Sequence, residues 1–262
     1  ILKRQNLNIQ RKKKGLCLSF FVGKMKKIQK GTVKNIEKIA ADTFALEITS
    51  DLKEAHSGQF ISILCPPKTL RRPFSIKGFK DGTIEVFFKL KGEGTGYIKS
   101  LKIGDSVDFM GPLGHGFEIQ NKKSLLVGAG IGIAPMLFLK DELSAKGIEN
   151  FLISGFRDEK EIIKGSDKTV TGGSVIDYLD EIIENFKPQV IYSCGPEIVL
   201  KLVGQSAQKH NLEAQVAMEK VFACQIGVCR GCVINVIKEG RVQNATICHD
   251  GPVFKASEVV WE

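Results

Sequence analysis

Residues 124–135 read Ser-Leu-Leu-Val-Gly-Ala-Gly-Ile-Gly-Ile-Ala-Pro, and this stretch decides the fold expected for the second half of the chain. Its apolar start, Leu125-Leu126-Val127, is typical of a buried strand, and residues 136–146 are typical of a helix that ends at Gly147. Proline suits the first turn of a helix, and a turn with few side chains lets a dinucleotide approach the N–H groups at the helix start. Because the glycine spacing departs from G-x-G-x-x-G, this motif alone does not identify the ligand.

Two more strand–helix units follow this turn. Residues 150–155 predict a strand with a helix near 175–185 after it, and residues 190–193 predict a strand that leads through Cys194-Gly195-Pro196 into a helix over 197–210. This order predicts a small parallel α/β domain, in which ligands bind at the carboxyl ends of the strands. Both glycine-containing turns fall at that edge. Taken alone, Cys194 is better explained as a small buried hydrophobe.

The segment before the turn has a different period. Short alternating runs at 32–36, 44–48 and 83–88 are typical of strands, and Asp81-Gly82 predicts a hairpin between two of them. About six short strands with almost no helix favour an antiparallel barrel, because closing a sheet removes its exposed edges.

One motif in this barrel segment has the chemistry of a flavin site. The stretch Arg71-Arg72-Pro73-Phe74-Ser75-Ile76 offers a guanidinium for a pyrophosphate at Arg72, a ring at Phe74 and a hydroxyl at Ser75 for a ring nitrogen. Downstream, Gly92-Glu93-Gly94-Thr95-Gly96 opens a short predicted helix whose amides offer a second phosphate contact. Each motif alone is also typical of a surface turn or loop, so the prediction depends on their combination.

Four cysteines near the C-terminus follow the pattern C-x4-C-x2-C…C. They are Cys224, Cys229, Cys232 and Cys248. This is the plant-ferredoxin spacing for a [2Fe–2S] cluster, and Gly227 and Gly231 suit a loop wrapped around one. A zinc site, a disulfide framework and a chance cluster of buried cysteines are the alternatives. Zinc sites usually use two short C-x2-C pairs, and the odd total of seven cysteines argues against a disulfide scaffold.

Composition describes a soluble globular protein of two or three domains, 43% hydrophobic and 26% charged over 262 residues. The net charge of +9 comes from the first 30 residues, which hold ten Lys or Arg and no acidic residue, so the rest does not predict a nucleic-acid surface. The apolar run at 15–23 is too short to span a membrane. We expect residues 1–24 to be an extension or disordered tail, no membrane contact elsewhere, and a cytoplasmic protein.

The order of these motifs resembles the ferredoxin–NADP reductase superfamily. Within it, the chain from about Met25 onward is similar to the electron-transfer subunits of class 1B dihydroorotate dehydrogenase, most specifically over residues 218–233 with Cys248. Gln225 departs from the commonest family form of the loop, in which glycine is expected. Because the four cysteines are intact, the departure concerns loop conformation and cluster potential.

The resemblance implies a multidomain fold with an antiparallel β-barrel FAD domain at 25–120, a parallel α/β NAD-binding domain at 121–217 and a small [2Fe–2S] domain at 218–262. The implied FAD contacts are Arg72, Pro73, Phe74, Ser75, Phe87, Phe88, Lys89, Gly94 and Thr95. The implied NAD contacts are Gly128, Gly130, Gly132, Pro135, Cys194, Gly195 and Pro196. The implied cluster ligands are the four cysteines above.

The resemblance also implies the activity, that of an oxidoreductase subunit. Hydride moves between nicotinamide and FAD, single electrons move between FAD and the cluster, and an FMN-containing catalytic subunit oxidises dihydroorotate in pyrimidine (UMP) biosynthesis, as a heterotetramer of two subunits of each kind. Because the cofactors carry the chemistry, we expect no acid–base or nucleophilic residue in this chain. In Arg157-Asp158-Glu159 the carboxylates suit a ribose hydroxyl and Arg157 suits a 2′-phosphate, so the residues leave NAD and NADP open while the family implies NAD.

Three alternatives remain open at this point. One is the flavin/[2Fe–2S] subunit of a ferredoxin-linked NAD(P)H or sulfide oxidoreductase, which shares the architecture. Another is a zinc-stabilised adaptor with a degenerate reductase fold. The third is a stand-alone diaphorase without an obligate partner.

Overall fold

The computed structural model describes residues 28–261, so the expectation for residues 1–24 lies outside the described part of the chain. The described chain forms a closed six-stranded barrel, a six-stranded sheet flanked by helices, and a two-stranded hairpin beside the cysteine loop. This arrangement confirms the predicted fold class. None of the helices within 28–261 is both long enough and apolar enough to cross a membrane.

The barrel is antiparallel throughout. Its strands are β1 (Ile28–Ala40), β2 (Thr43–Thr49), β3 (Phe60–Ile63), β4 (Arg72–Lys80), β5 (Thr83–Lys89) and β6 (Ser106–Leu113). They pair in the order β1-β2-β5-β4-β3-β6, and β1 closes the barrel on β6. Asp81 and Gly82 join β4 to β5 with φ angles of 49° and 75°, a backbone that glycine and aspartate tolerate, as the hairpin prediction requires. The short helix α1 (Glu93–Ser100) follows β5.

The second sheet is built on β7, whose six residues are all buried. Its strands are β7 (Ser124–Ala129), β8 (Asn150–Phe156), β9 (Lys168–Thr171), β10 (Val190–Cys194), β11 (Glu213–Ala217) and β14 (Val253–Lys255). Its helices are α2 (Ile133–Ala145), α3 (Leu179–Phe186) and α4 (Glu197–Lys209). The order is β14-β11-β10-β7-β8-β9, and only β14 among these strands runs antiparallel.

Helix α2 packs against both β7 and β4, so it joins the sheet to the barrel. It begins at Ile133, three residues before the predicted 136, because Pro135 is accommodated inside its first turn. Most of the helix is buried, which fits a helix enclosed between two sheets rather than one with a solvent-facing side.

The C-terminal segment is divided between two sheets. Strands β12 (Val233–Lys238) and β13 (Arg241–Thr246) form the separate hairpin, and the short helix α5 (Ile247–Asp250) follows it. Strand β14 then extends the α/β sheet, where Val216 faces Phe254. A three-residue strand has too few residues to show a period, so it was not predicted. The division into domains at 25–120, 121–217 and 218–262 stays a prediction.

Candidate functional site

The hairpin β12–β13 brings the last two cysteines of the pattern together. Cys232 directly precedes β12, and Cys248 lies in α5 just after β13. Because Val233 at the start of β12 faces Thr246 at the end of β13, the two cysteines lie at the same end of the hairpin. The Cys248 N–H donates to the Cys232 Sγ at 3.4 Å, and both side chains are buried. The first two cysteines form a second pair, because the Cys229 N–H donates to the Cys224 Sγ at 3.3 Å. Four cysteines spread over 25 residues thus lie as two pairs.

Main-chain N–H groups point at these sulfur atoms. Gly227 donates to the Cys248 Sγ at 3.2 Å, and Gly231 donates to the Cys229 Sγ at 3.4 Å. Gly227 has φ 84°, and a Cβ there would lie 2.8 Å from the His249 Cβ, so the turn depends on glycine. Amide donors of this kind stabilise thiolates and tune the potential of a bound cluster.

The pairs differ in the acidity of their thiols. Burial favours the neutral Cys224 thiol, but N–H groups of the loop and the Cys229 thiol outweigh burial and lower its pKa to about 7. Burial and then the neighbouring Cys232 thiol raise the pKa of Cys248 to about 12, against the Gly227 N–H. The loop therefore presents one readily ionised sulfur near the surface and one that a bound metal would have to deprotonate.

The pairing of the thiols distinguishes two kinds of metal site. Within residues 28–261 no three His, Cys, Asp or Glu side chains converge so as to hold a single metal ion. A structural zinc site needs four ligands around one ion, whereas each iron of a [2Fe–2S] cluster takes two of four cysteines. The two pairs match the two-plus-two ligand pattern of a binuclear cluster. That Cys224, Cys229, Cys232 and Cys248 are the ligands stays a prediction.

Two of the predicted flavin patches lie together at the start of β4. A Cβ on Gly94 would lie 3.1 Å from the Arg72 Nε, so the missing side chain leaves the guanidinium uncovered. Arg72 donates only to main-chain carbonyls, of Leu70 at 2.9 Å and of Arg71, and among the described residues no carboxylate pairs with it. Arg71 instead pairs with Asp108 at 2.6 Å. An uncovered guanidinium without a carboxylate fits a pyrophosphate.

The other predicted flavin contacts are divided by the alternation of their strands. Ser75 is exposed, whereas Phe74 points into the barrel and meets Phe88 edge-on at 6.2 Å between ring centroids. Phe88 stacks on Phe44 at 5.5 Å. Phe74 and Phe88 are thus mainly barrel core residues, and any cofactor contact they make involves their edges or main chain.

The remaining predicted flavin contacts have partners within the chain. Phe87 is buried between the barrel and the α/β sheet, and Pro73 is half-buried beside Arg72. Lys89 pairs with Glu161 at 2.6 Å across the domain junction. The Thr95 hydroxyl accepts the Lys91 N–H at 2.9 Å, so it caps the start of α1.

The two turns predicted to bind the dinucleotide are in direct contact. A Cβ on Gly132 would lie 2.3 Å from the Cys194 carbonyl oxygen, and one on Gly195 would lie 2.8 Å from the Ala129 Cβ. Gly128 lies against Ile133, where a Cβ would be 2.9 Å from its Cα, so α2 can approach β7 closely.

Three further features complete this edge of the sheet. Gly130 has φ 57°, and no atom lies within 4 Å of where its Cβ would be, so this glycine serves the backbone turn. Pro135 lies in the first turn of α2 and Pro196 precedes α4. The two turns form one continuous floor at the carboxyl ends of β7 and β10, as expected for a ligand site in such a sheet.

Cys194 at this edge is held in its neutral form. Burial, reinforced by the Glu219 carboxylate, raises the pKa of its thiol to about 12. A thiol this weakly acidic is a poor nucleophile at neutral pH. The residue therefore lines the site rather than acting as an ionised group.

Two family models match the chain over separate segments. The oxidoreductase FAD-binding domain matches residues 30–117, and the iron–sulfur cluster binding domain of dihydroorotate dehydrogenase B matches residues 219–260. The relative from Caldanaerobacter subterraneus subsp. tengcongensis, a dihydroorotate dehydrogenase B (NAD(+)) electron transfer subunit, is 34% identical over 244 residues. These cover 88% of this chain and 98% of the relative. The chain belongs to the family of dihydroorotate dehydrogenase B electron-transfer subunits.

Other comparisons agree with membership of this family, which confirms the predicted resemblance. The electron transfer subunit of Streptococcus thermophilus is 33% identical, with 87% of this chain and 97% of the relative covered. Among solved structures, one described as the NADH-dependent reduced ferredoxin-NADP oxidoreductase has a TM-score of 0.78 at 29% identity, covering 88% of this chain and 90% of that one. Phthalate dioxygenase reductase, at 20% identity and a TM-score of 0.62, shares the fold.

Two contacts of this family member were not predicted from sequence. Glu161 accepts from both Lys89 and Arg157, at 2.6 and 2.5 Å, so it joins two predicted binding segments. Gln225 donates from its Nε2 to the Arg71 carbonyl at 2.8 Å. The i,i+4 spacing of Arg157 and Glu161 is a signal that was available for the first contact. No sequence signal marks the second, because its partners lie 154 residues apart.

Proposed function

We propose that this chain carries electrons from an FMN-containing dihydroorotate dehydrogenase subunit to NAD, through a [2Fe–2S] cluster and FAD, in pyrimidine (UMP) biosynthesis. The relatives that match over nearly their whole length are named as electron transfer subunits of dihydroorotate dehydrogenase B (NAD(+)). The two family-model matches cover an FAD-binding segment and an iron–sulfur binding segment. The observation that carries the proposal is the arrangement of four cysteines in two pairs, three of them on the loop before β12 and the fourth in α5. This arrangement suits a one-electron iron–sulfur carrier.

Bound FAD would supply exchange of a hydride with nicotinamide and of single electrons with an iron–sulfur cluster. The chain itself positions and shields these groups. Arg72, left uncovered by Gly94, would bind the negative pyrophosphate, and the exposed Ser75 hydroxyl would hydrogen-bond the flavin ring. The cysteine pairs would each hold one iron, with Gly227 and Gly231 N–H groups donating to sulfur.

The floor formed by residues 128–135 and Cys194-Gly195-Pro196 would hold the dinucleotide. Its phosphates would lie at the start of α2, where glycines leave the N–H groups accessible. The protonated Cys194 would provide a neutral wall beside the nicotinamide, with its pKa of about 12. Hydride transfer between nicotinamide and FAD needs no acid–base or nucleophilic residue, so none of this chain's residues is assigned such a role.

The surface around the cluster loop suits a protein partner. Cys229 is exposed, and so are three apolar side chains beside it: Val221 at 88%, Val228 at 68% and Ile226 at 46%. Adjacent exposed apolar side chains are characteristic of interaction sites. We assign this surface, defined by Val221, Ile226, Val228 and Cys229, to the catalytic subunit, in a heterotetramer of two subunits of each kind.

A cytoplasmic location is part of the same proposal. All six cysteines within residues 28–261 are free thiols. Unpaired cysteines are typical of proteins kept in a reducing compartment.

A second candidate is a subunit of a ferredoxin-linked NAD(P)H oxidoreductase. The likeness to the NADH-dependent reduced ferredoxin-NADP oxidoreductase, with its TM-score of 0.78, favours it. The relatives at 33% and 34% identity favour dihydroorotate dehydrogenase. The electron donor distinguishes the two: dihydroorotate with an FMN subunit in one case, reduced ferredoxin in the other.

The test begins with protein purified without air, in which iron, zinc and flavin are quantified and the visible spectrum is recorded before and after NADH. We expect one FAD and two irons per chain, and we expect NADH to bleach the visible absorption of both the flavin and the cluster. Once the FMN subunit is added, NAD reduction should depend on dihydroorotate. Cys248→Ser should lower the iron content and keep flavin bleaching. Cys65→Ser is the matched control, because Cys65 is a buried barrel thiol with no predicted metal role.

Three results would contradict the proposal. Zinc without flavin would support the adaptor, and NADH oxidation with no co-purifying or activating partner would support a stand-alone diaphorase. Reduction by ferredoxin but not by the FMN subunit would support the second candidate.

A further inference from the structure

Gln225 combines a strained backbone with a buried polar side chain. Its φ is 63°, in the left-handed region that residues other than glycine rarely adopt. Its side chain is only 1% exposed, although it follows Cys224 on a loop whose other members are largely open to solvent. Such strain persists when the surrounding structure holds the residue in place, and it concentrates at functional sites.

The side chain reaches out of the cluster loop to the barrel. Its Nε2 donates to the Arg71 carbonyl at 2.8 Å. Arg71 is itself fixed, because its guanidinium pairs with Asp108 at 2.6 Å and donates to the main-chain carbonyls of Ser62 and Asp108 at 3.3 Å. The loop is therefore anchored to a rigid point held by β3 and β6.

A second atom of the Gln225 side chain opposes the stabilising effect of this hydrogen bond. The Gln225 Oε1 is buried and, within residues 28–261, has no hydrogen-bond partner. A buried acceptor left without a partner loses its hydration, which offsets the net gain from one neutral hydrogen bond. The partnerless acceptor and the positive φ both oppose the stability that the hydrogen bond contributes. What it supplies is a defined geometry.

The two ends of the contact are adjacent in sequence to two predicted cofactor ligands. Gln225 follows Cys224, the first cysteine of the cluster pattern, and Arg71 precedes Arg72, the predicted pyrophosphate ligand. One hydrogen bond thus joins the cluster loop to the residue just before β4, which lies 154 residues away in sequence. The separation of two electron carriers controls how fast they exchange electrons, so a tether at this point acts on the transfer step.

We propose that Gln225 is a positioning residue that sets the separation between cluster and flavin through its hydrogen bond to the Arg71 carbonyl. The inference rests on the proposed function and names the contact that tunes its internal electron transfer. Without the Nε2 donor, the loop keeps its four cysteines and gains freedom to move relative to β4.

Two variants in the cofactor-loaded full chain separate the tether from stability. Gln225→Met keeps the volume and removes the donor, and Gln225→Gly also relieves the positive φ. The matched control is Glu239→Gly, at φ 52° in the exposed turn of the β12–β13 hairpin. Hydrogen exchange over 222–232, bound iron and flavin, Tm, and the rates of flavin and cluster reduction by NADH are measured on each.

We expect both Gln225 variants to hold wild-type iron and flavin, to exchange faster over 222–232, and to reduce the cluster about tenfold more slowly with unchanged flavin reduction. The Tm of Gln225→Gly should equal or exceed that of the wild type, which separates this effect from loss of folding. The control should match the wild type throughout. Wild-type exchange and cluster reduction in Gln225→Met would overturn the tether. A wild-type protein without flavin or iron would overturn the proposed function instead.

Discussion

At the residue scale, the preference between NAD and NADP depends on which group already pairs with the Arg157 guanidinium. Its guanidinium lies at the carboxyl end of β8, where it would meet a 2′-phosphate, but it pairs with Glu161 at 2.5 Å. Hydrogen bonds from Lys89 and then Arg157 hold the pKa of Glu161 below its ordinary value, so its carboxylate stays charged. The Glu161 carboxylate is shared between Lys89 and Arg157, so it offsets part of the charge at Arg157 and competes with a 2′-phosphate for its N–H donors.

We therefore expect Glu161→Gln to release Arg157 and to raise kcat/KM for NADPH relative to NADH by roughly tenfold. Steady-state kinetics of both nucleotides measures the ratio. Glu149→Gln removes a carboxylate near the opposite end of the same strand, where it pairs with Lys123, and should leave the ratio unchanged. An unaltered ratio in Glu161→Gln would mean that Arg157 does not meet the nucleotide.

At the element scale, the strand–turn–helix unit of β7 and α2 depends on how closely the β10 turn approaches it. Gly132 has room for no side chain, because a Cβ would meet the main chain of Cys194 and Gly195 at 2.3 to 2.8 Å. Its φ of −63° suits any residue. The requirement for glycine here is therefore one of space, and the two turns cannot be separated without moving a strand.

Gly132→Ala should destabilise the protein by about 1–3 kcal/mol through overpacking and should weaken NADH binding, because it pushes the two turns of the dinucleotide floor apart. Thermal unfolding and a NADH titration followed by fluorescence measure the two effects. Gly173→Ala is the control, since its Cβ would meet no atom closer than 3.7 Å. Wild-type NADH affinity in a destabilised Gly132→Ala would place the nucleotide elsewhere.

At the scale of the whole molecule, the cluster loop is a part of the described surface where an exposed cysteine and exposed apolar side chains coincide. Val228 is 68% exposed next to Cys229. A charge placed there would have to be desolvated in any complex, which costs several kcal/mol unless it is paired.

Val228→Glu should therefore abolish co-purification with the FMN subunit and dihydroorotate-dependent NAD reduction, while iron, flavin and NADH-driven bleaching remain at wild-type levels. Ile103→Glu introduces the same charge at an equally exposed apolar residue, 71% exposed in a barrel turn, and should assemble normally. Normal assembly of Val228→Glu would show that the catalytic subunit binds another face.

The period of apolar residues predicted most elements well, because a buried strand or helix repeats its contact with the core along many residues. The hairpin at Asp81-Gly82 and the strand over 125–127 are examples, confirmed by β4–β5 and β7. The three-residue β14 and the inward direction of Phe74 carry no such repeat. The direction of one side chain depends on the register of its strand with its neighbours, which pairs residues far apart in sequence.

The order of a barrel, an α/β sheet and a segment with four spaced cysteines follows from local properties of the chain, namely composition, period and cysteine spacing. Tertiary contacts set which cysteines pair, place Glu161 between Lys89 and Arg157, and bring Gln225 to the Arg71 carbonyl. Contacts between distant segments are set by how the sheets pack and in which register. Packing and register depend on the whole chain, so no single stretch of sequence predicts these contacts.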